Sequence, residues 1–404
     1  HESYKWEYRY FTGTKQNYYD PENSEFSNAI SMQNLNSYTY DETIESWFGS
    51  IHYEYGNRYY LDANIRGDGS SRFAKENRWG VFWSVGANWR LSQENFLKDV
   101  AWINNLALKV SYGTTGNNQI PNYYPYKDQY SVSPNGDEVS VPQVYWGNPD
   151  RTWEVSNNLN AGINASLFDA RLNLNAEYFH KKTSDMLYDM PFSPSTGIPS
   201  KPMNIMTMIN KGFEFTLSAV PLRTKNTSLE VILTGTTYTN SVTDLPADKV
   251  ETGITHLAYY NIKDGGSVWD FYGLKSAGVD PETGDALYWH RETGENGEET
   301  LSKVTYENAD AVGDKFYLGT AIPDFIGGIT VNFNWKGLDF SIAGNYQIGG
   351  KVYDAMYNGL MHAGTSDGAN WHKDILNAWT PENTNTNVPK LNGSINQTQA
   401  LDPY

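Results

Sequence analysis

Five aromatic residues, Trp146, Trp269, Tyr272, Trp289 and Trp371, fall in long polar stretches crowded with Asn and Asp. That mixture suits a sugar ring. Its C–H face stacks on an aromatic ring, and amides and carboxylates bond its hydroxyls. The same rings equally build small local cores that hold long loops together. A second oxygen-rich run is Asp280-Pro281-Glu282-Thr283-Gly284-Asp285. Asp280 and Asp285 make it a weak calcium candidate, because the spacing is not that of an EF-hand. A Pro-Glu-Thr-Gly turn explains the run more simply. No metal or other cofactor is expected.

Catalytic patterns are missing from the sequence. The seven His (His1, His52, His180, His256, His290, His362 and His372) form no His-Glu-x-x-His pair. The one Gly-x-Ser-x-Gly match, Gly364-Thr365-Ser366-Asp367-Gly368, falls in the long polar stretch 349–404 and not between a strand and a helix as a nucleophile elbow requires, and there is no phosphate loop. His362 and His372 bracket a segment with Asp367, which reads as a solvated loop. With no Cys, a thiol nucleophile, a thiolate metal site and a disulfide framework are all excluded. No enzyme is expected.

The 404 residues carry 30 Lys and Arg against 47 Asp and Glu, a net charge of −17. That sign disfavours a nucleic-acid partner. Much of the excess lies in residues 241–324, which suits a solvated loop or a partner-facing surface. Apolar residues make up only 39%, while aromatics reach 15%. No run approaches about 18 apolar residues, so no helix can span a membrane. Strands apolar on one side give the same low average. The opening His-Glu-Ser-Tyr has neither the charged nor the apolar region of a signal peptide. The chain reads as a piece of something longer.

The elements that must hold these residues alternate with period two. From Trp153 to Leu167, residues Trp153, Val155, Leu159, Ala161, Ile163, Ala165 and Leu167 share one face, and Asn157 breaks it. Glu154, Ser156, Asn158, Asn160, Gly162, Asn164 and Ser166 share the other. The pattern recurs at 47–55, 59–66, 79–91, 106–112, 171–178, 213–219, 329–335 and 340–348, and less cleanly at 3–11 and 227–240. This predicts about eleven strands of roughly 9–15 residues, where a tilted membrane strand needs about 9–11. Connections alternate in length. Gly56-Asn57, 92–103, Phe168-Asp169-Ala170, 223–226 and Lys336-Gly337 are short. Residues 12–42, 67–77, 113–150, 183–207, 241–324 and 349–404 are longer. Short turns at one end and long loops at the other mark an antiparallel transmembrane β-barrel of the outer membrane. Aromatics near strand ends, such as Trp47, Trp79, Trp89 and Trp335, suit the headgroup layer. The competing reading is a soluble all-β glycan-binding or adhesin module with one solvated face. A barrel enzyme is a further alternative without a visible acid–base pair.

Residues Arg58 to Phe73, reading RYYLDANIRGDGSSRF, resemble the SusC/RagA family of TonB-dependent transporters of Bacteroidetes. So do Trp79 to Arg90, Leu106 to Gly116, Thr152-Trp153-Glu154, Glu177 to Thr183, Asn210-Lys211-Gly212-Phe213-Glu214, Ala277 to Asp285 and Pro323-Asp324-Phe325. The resemblance implies a large plugged barrel of about 22 strands, of which residues 1–404 would supply about eleven. A signal peptide, TonB box, plug domain, early strands and final strands would then lie outside this chain. It implies import of an oligosaccharide, or alternatively a peptide. The implied partners are a SusD-type surface lipoprotein, the TonB complex acting through the absent N-terminal region, and outer-membrane lipid.

Overall fold

The structure, a computed structural model, describes residues 2–14, 31–119, 122–135, 138–197, 200–256, 259–293, 298–309, 313–362 and 368–391. Eleven strands form one antiparallel sheet in chain order: β1 Glu2–Thr14, β2 Ser31–Tyr55, β3 Tyr59–Ser70, β4 Trp79–Arg90, β5 Ile103–Asn117, β6 Glu154–Leu167, β7 Leu172–Ser184, β8 Thr207–Arg223, β9 Thr227–Thr243, β10 Phe325–Trp335 and β11 Leu338–Ile348. By contact the chain divides into two compact units. The first comprises His1–Asp99, Ala107–Ala161 and Lys181–Thr207; the second comprises Val100–Leu106, Gly162–His180 and Met208–Tyr404.

In the first unit the register puts one solvent class on each face. Ile51 pairs with Ala63, Ala63 with Val85, and Val85 with Tyr112, giving an apolar row across four strands. The next row is Ser50, Asn64, Ser84 and Gly113. The apolar row is bare: Trp47 and Ile51 are each 71% exposed. A water-soluble sheet would cover such a face, so its solvent is lipid. Aromatics close the band at each end. From Trp79 to Trp89 on β4 is ten residues, about 33 Å along the strand, or about 25 Å of height at a tilt of about 40°. That height equals the apolar band of an outer-membrane barrel. Asn157, the break in the β6 alternation, accepts a hydrogen bond from the Tyr112 hydroxyl at 3.4 Å.

The tight connections have turn chemistry. Gly56 and Asn57 both take positive φ (60° and 58°), as do Lys336 and Gly337 (47° and 89°). Positive φ at both central residues matches the right-handed twist of the flanking strands. In the second unit Phe168, Asp169 and Ala170 are three successive left-handed residues. They are held by Phe168 N donating to the Trp102 carbonyl (2.8 Å), Ala170 N to Asn104 Oδ1 (3.1 Å), and a Trp102–Phe168 stack.

Several expected bounds shift. Residues 12–42 are not all connection: β1 runs to Thr14 and β2 starts at Ser31, paired Thr14 to Ser31. Strand 153–167 begins one residue later, at Glu154. The long stretch 241–324 holds two small sheets of its own. One joins 254–256, 260–262, 270–274 and 315–320; the other joins 276–279, 286–293 and 299–305.

Candidate functional site

The run Arg66 to Phe73 ends β3 and turns at the long-connection end of the first unit. Each side chain in it has a task. Arg66 Nε donates to both carboxylate oxygens of Asp68 (2.7 and 2.8 Å), and Arg66 Nη2 donates to Ser46 Oγ. A Cβ on Gly69 would lie 2.9 Å from the Trp79 ring, so any larger residue there must displace that ring. Ser70 Oγ accepts from Asn118 Nδ2 (2.8 Å), and Ser71 Oγ accepts from Thr43 N (3.0 Å). Arg72 grips Glu42 through Nε and Nη2 at 2.7 and 2.9 Å, both side chains under 10% exposed. The Tyr123 ring covers the Arg72 guanidinium at 4.2 Å and stacks on Tyr40. Phe73 is buried against Trp153 and Phe82. This knot pins residues 71–78, 118–119 and 122–124 to the strand ends.

Beside the knot lies a recess of about 380 Å³. Asn64, Arg66, Asp68, Ser84, Thr115 and Asn118 give it donors and acceptors, and Phe82, Trp83 and Trp153 give it aromatic edges. The sequence reading had not singled out Phe82 or this recess. The signal was present: Phe82 is the large apolar residue on the Ser84 side of β4, where alternation demands a polar one. Trp153, assigned to the apolar face, precedes β6 and turns into this cluster, its indole N–H donating to the Arg78 carbonyl at 3.0 Å. In the second unit Asn105, Asn164, Ser166, Asn173, Asn175, Thr216 and Ser218 line a second polar recess of about 300 Å³. From it runs a ladder: Ser218 Oγ donates to Glu230, Asn332 Nδ2 to Glu230, and Ser341 Oγ to Asn332. Amides and hydroxyls in a row can pass a hydroxylated or amide-bearing solute between equivalent partners.

The five loop aromatics do not form one cluster. Trp146 is half-buried in the first unit, and the other four belong to the second. Trp269 meets the Tyr260 ring edge-on at 5.5 Å from the turn just before strand 270–274, and Tyr272, on that strand, packs on Tyr317 at 4.8 Å. Trp289 lies under Lys303, with its Nζ 5.4 Å from the ring. Trp371 is 52% exposed, stacks on His362 at 5.1 Å, and donates from its indole N–H to the His362 carbonyl. Trp269 and Trp371 thus each stay partly exposed while one neighbouring ring packs against them. Asp367 lies outside the described residues.

Asp280 and Asp285 sit at the ends of a turn. Asp280 Oδ1 accepts from Glu282 N (2.8 Å) and Thr283 N (3.3 Å), and Asp285 Oδ1 faces Lys390 Nζ at 2.9 Å. Trp379 covers Gly284 and donates to the Pro281 carbonyl. Both carboxylates therefore already have partners. Among the described residues no group of three or more His, Asp or Glu converges as a metal site would.

A sheet with a bare apolar face, an aromatic belt at each end and a polar opposite face defines an outer-membrane β-barrel wall. Its family follows from comparison with known proteins. The TonB dependent receptor-like, beta-barrel model matches residues 2–355, and the chain belongs to that family of receptors, which are not enzymes. It is 29% identical over 376 residues to TonB-dependent receptor P3 of Formosa agariphila, covering 90% of this chain and 37% of that protein. To TonB-dependent receptor SusC of Bacteroides thetaiotaomicron it is 27% identical over 350 residues, covering 83% and 34%. The solved RagAB peptide transporter superposes with a TM-score of 0.80 at 26% identity, covering 92% of this chain and 40% of that one. The chain thus spans little more than a third of the length of the curated relatives it matches.

Proposed function

We propose that the complete protein imports a nutrient across the outer membrane, energised through TonB. A SusD-type surface lipoprotein would deliver the cargo. Oligosaccharide is the first cargo class and peptide the second. The observation that carries this reading is the separation of faces on one sheet: a bare aromatic-bounded apolar face, and an opposite face of Asn, Ser, Thr, Arg and Asp suited to a wet lumen. Its support is the family and the likeness to SusC and to a peptide transporter. In this reading residues 1–404 belong to one barrel domain. The plug, TonB box and remaining strands belong to the rest of the protein. Trp269 and Trp371, with Trp146, Tyr272 and Trp289, give the outer loops their sugar-stacking faces. The Asn-rich recess and the Glu230 ladder line the route inward.

Peptide cargo has one specific observation behind it, the RagAB superposition. The experiment is purification of the full-length protein from outer membranes in mild detergent, with mass spectrometry of bound chains and small molecules. Import predicts a co-eluting surface lipoprotein and either glycan or peptide cargo. A receptor that elutes alone and takes up neither class into liposomes contradicts the proposal.

A further inference from the structure

Arg151 is the largest fully buried side chain among the described residues, 1% exposed, and none of its three guanidinium nitrogens has a hydrogen-bond partner. The buried Tyr145 hydroxyl is also unpartnered. Both belong to the first unit and are fixed by backbone. Gly147 packs so closely on Tyr126 and Lys127 that a Cβ would overlap their backbone. Asn148 N donates to the Pro125 carbonyl (2.9 Å), and Asn148 Nδ2 donates to the Pro202 carbonyl (2.8 Å). The turn that carries Arg151 is thereby tied to segment 124–127 and to the hairpin of strands 187–191 and 200–204.

A guanidinium keeps its charge in proteins and presents five donors. Enclosed without a partner, it is among the most costly groups a fold can carry. The nearby carboxylates do not supply the partner. Glu154 accepts from Leu187 N and Asn117 Nδ2, and Asp189 exerts its field on Arg151 without an ion pair. Burial pushes the Arg151 guanidinium below its ordinary value and the Tyr145 hydroxyl up to about 12. Arg151 and Asn122 lie close enough to that hydroxyl to hold its rise down, yet neither the hydroxyl nor any guanidinium nitrogen completes a hydrogen bond of ordinary geometry. A single acceptor with two oxygens would satisfy both groups.

We propose that Arg151 and Tyr145 form a binding site for a carboxylate. Two oxygens would take the guanidinium fork, and one would also accept from the Tyr145 hydroxyl. Enclosure restricts the ligand to a small anion or the carboxylate end of a chain. The inference does not depend on import, because occupancy is read without transport.

The test is thermal unfolding of the full-length protein in detergent, titrated with sodium acetate against sodium chloride at constant ionic strength. The expected result is a saturable rise of the midpoint with acetate, since a ligand that binds only the folded state stabilises it. Arg151→Leu abolishes the rise. Tyr145→Phe, which keeps the ring and removes only the acceptor's second donor, weakens acetate affinity by about tenfold. Two results overturn the proposal. One is a wild-type midpoint that follows ionic strength alone. The other is an Arg151→Leu protein at least as stable as wild type whose response to acetate is unchanged. Should Arg151→Leu not fold, an undiminished response in Tyr145→Phe and Arg151→Lys serves equally to refute it.

Discussion

Replacing Arg72 by Ala strands the Glu42 carboxylate in a site where its side chain is 9% exposed. Three contributions vanish together: a two-pronged ion pair at 2.7 and 2.9 Å, the ring contact to Tyr123 at 4.2 Å, and the packing of the side-chain stem. Breaking a buried pair by removing one partner costs about 3–5 kcal/mol, most of it the uncompensated charge. The predicted loss is therefore about 3–5 kcal/mol, a factor of about 10² to 10⁴ in the local opening equilibrium. The stretch carrying Tyr123 and Tyr124 should open first. Chymotrypsin cleavage after Tyr123 or Tyr124 in the folded, detergent-solubilised protein reads that opening, and denaturant unfolding reads the total. The double variant Arg72→Met, Glu42→Leu should recover most of the loss, because neither charge is then stranded. An Arg72→Ala loss within about 1 kcal/mol, the range of exposed pairs, would refute the reasoning.

Three further outcomes follow from the same geometry. Ile51→Lys, on the bare face midway between Trp47 and Tyr55, should cost about 2–4 kcal/mol in bilayer refolding, while Asn64→Lys on the opposite face should cost little. A Cβ on Gly212 would overlap the Thr237 carbonyl oxygen on the neighbouring strand, and a backbone atom cannot step aside; Gly212→Ala should leave little heat-modifiable, folded barrel in outer membranes. The Glu94 carboxyl is held below its ordinary value by hydrogen bonds from Tyr59 (2.6 Å) and Trp89 (3.0 Å). Its folded-state pKa is depressed, so its contribution is present above the unfolded carboxyl range and is lost as pH falls through the folded value. Trp89 fluorescence should change in that acidic window in wild type and stay flat in Glu94→Gln.

The strands were legible because each had to satisfy two media at once. Lipid on one side and water on the other write a period-two pattern that no loop imitates. Where that demand stops, the pattern stops while the backbone pairing continues. That is why Thr14 and Ser31 were placed in a connection although they pair. The small sheets within 241–324 were hidden for a related reason. Their short strands bury single residues such as Phe271, Ile262 and Tyr288, too few to establish a period. Phe82 and Trp153 were legible only as exceptions to alternation, and their meaning required knowing that Phe73 arrives from the next turn. The five aromatics lie outside the eleven-stranded sheet, but Tyr272 and Trp289 stand on strands of the small sheets and not in loops, and spacing along the chain says nothing of which rings meet. The Arg151 enclosure was invisible, since it needs residues from three separated segments.

The most direct test of the barrel-wall reading uses the absence of native cysteine. Single cysteines at Val81, Val85, Ser84 and Asn88 of β4 are introduced into the full-length protein in outer membranes. They are then exposed to a membrane-impermeant and a lipid-soluble thiol reagent. The prediction is alternation: Val81→Cys and Val85→Cys react from lipid, and Ser84→Cys and Asn88→Cys from water. Equal reaction of all four with the impermeant reagent would contradict it and place the strand in a water-soluble protein.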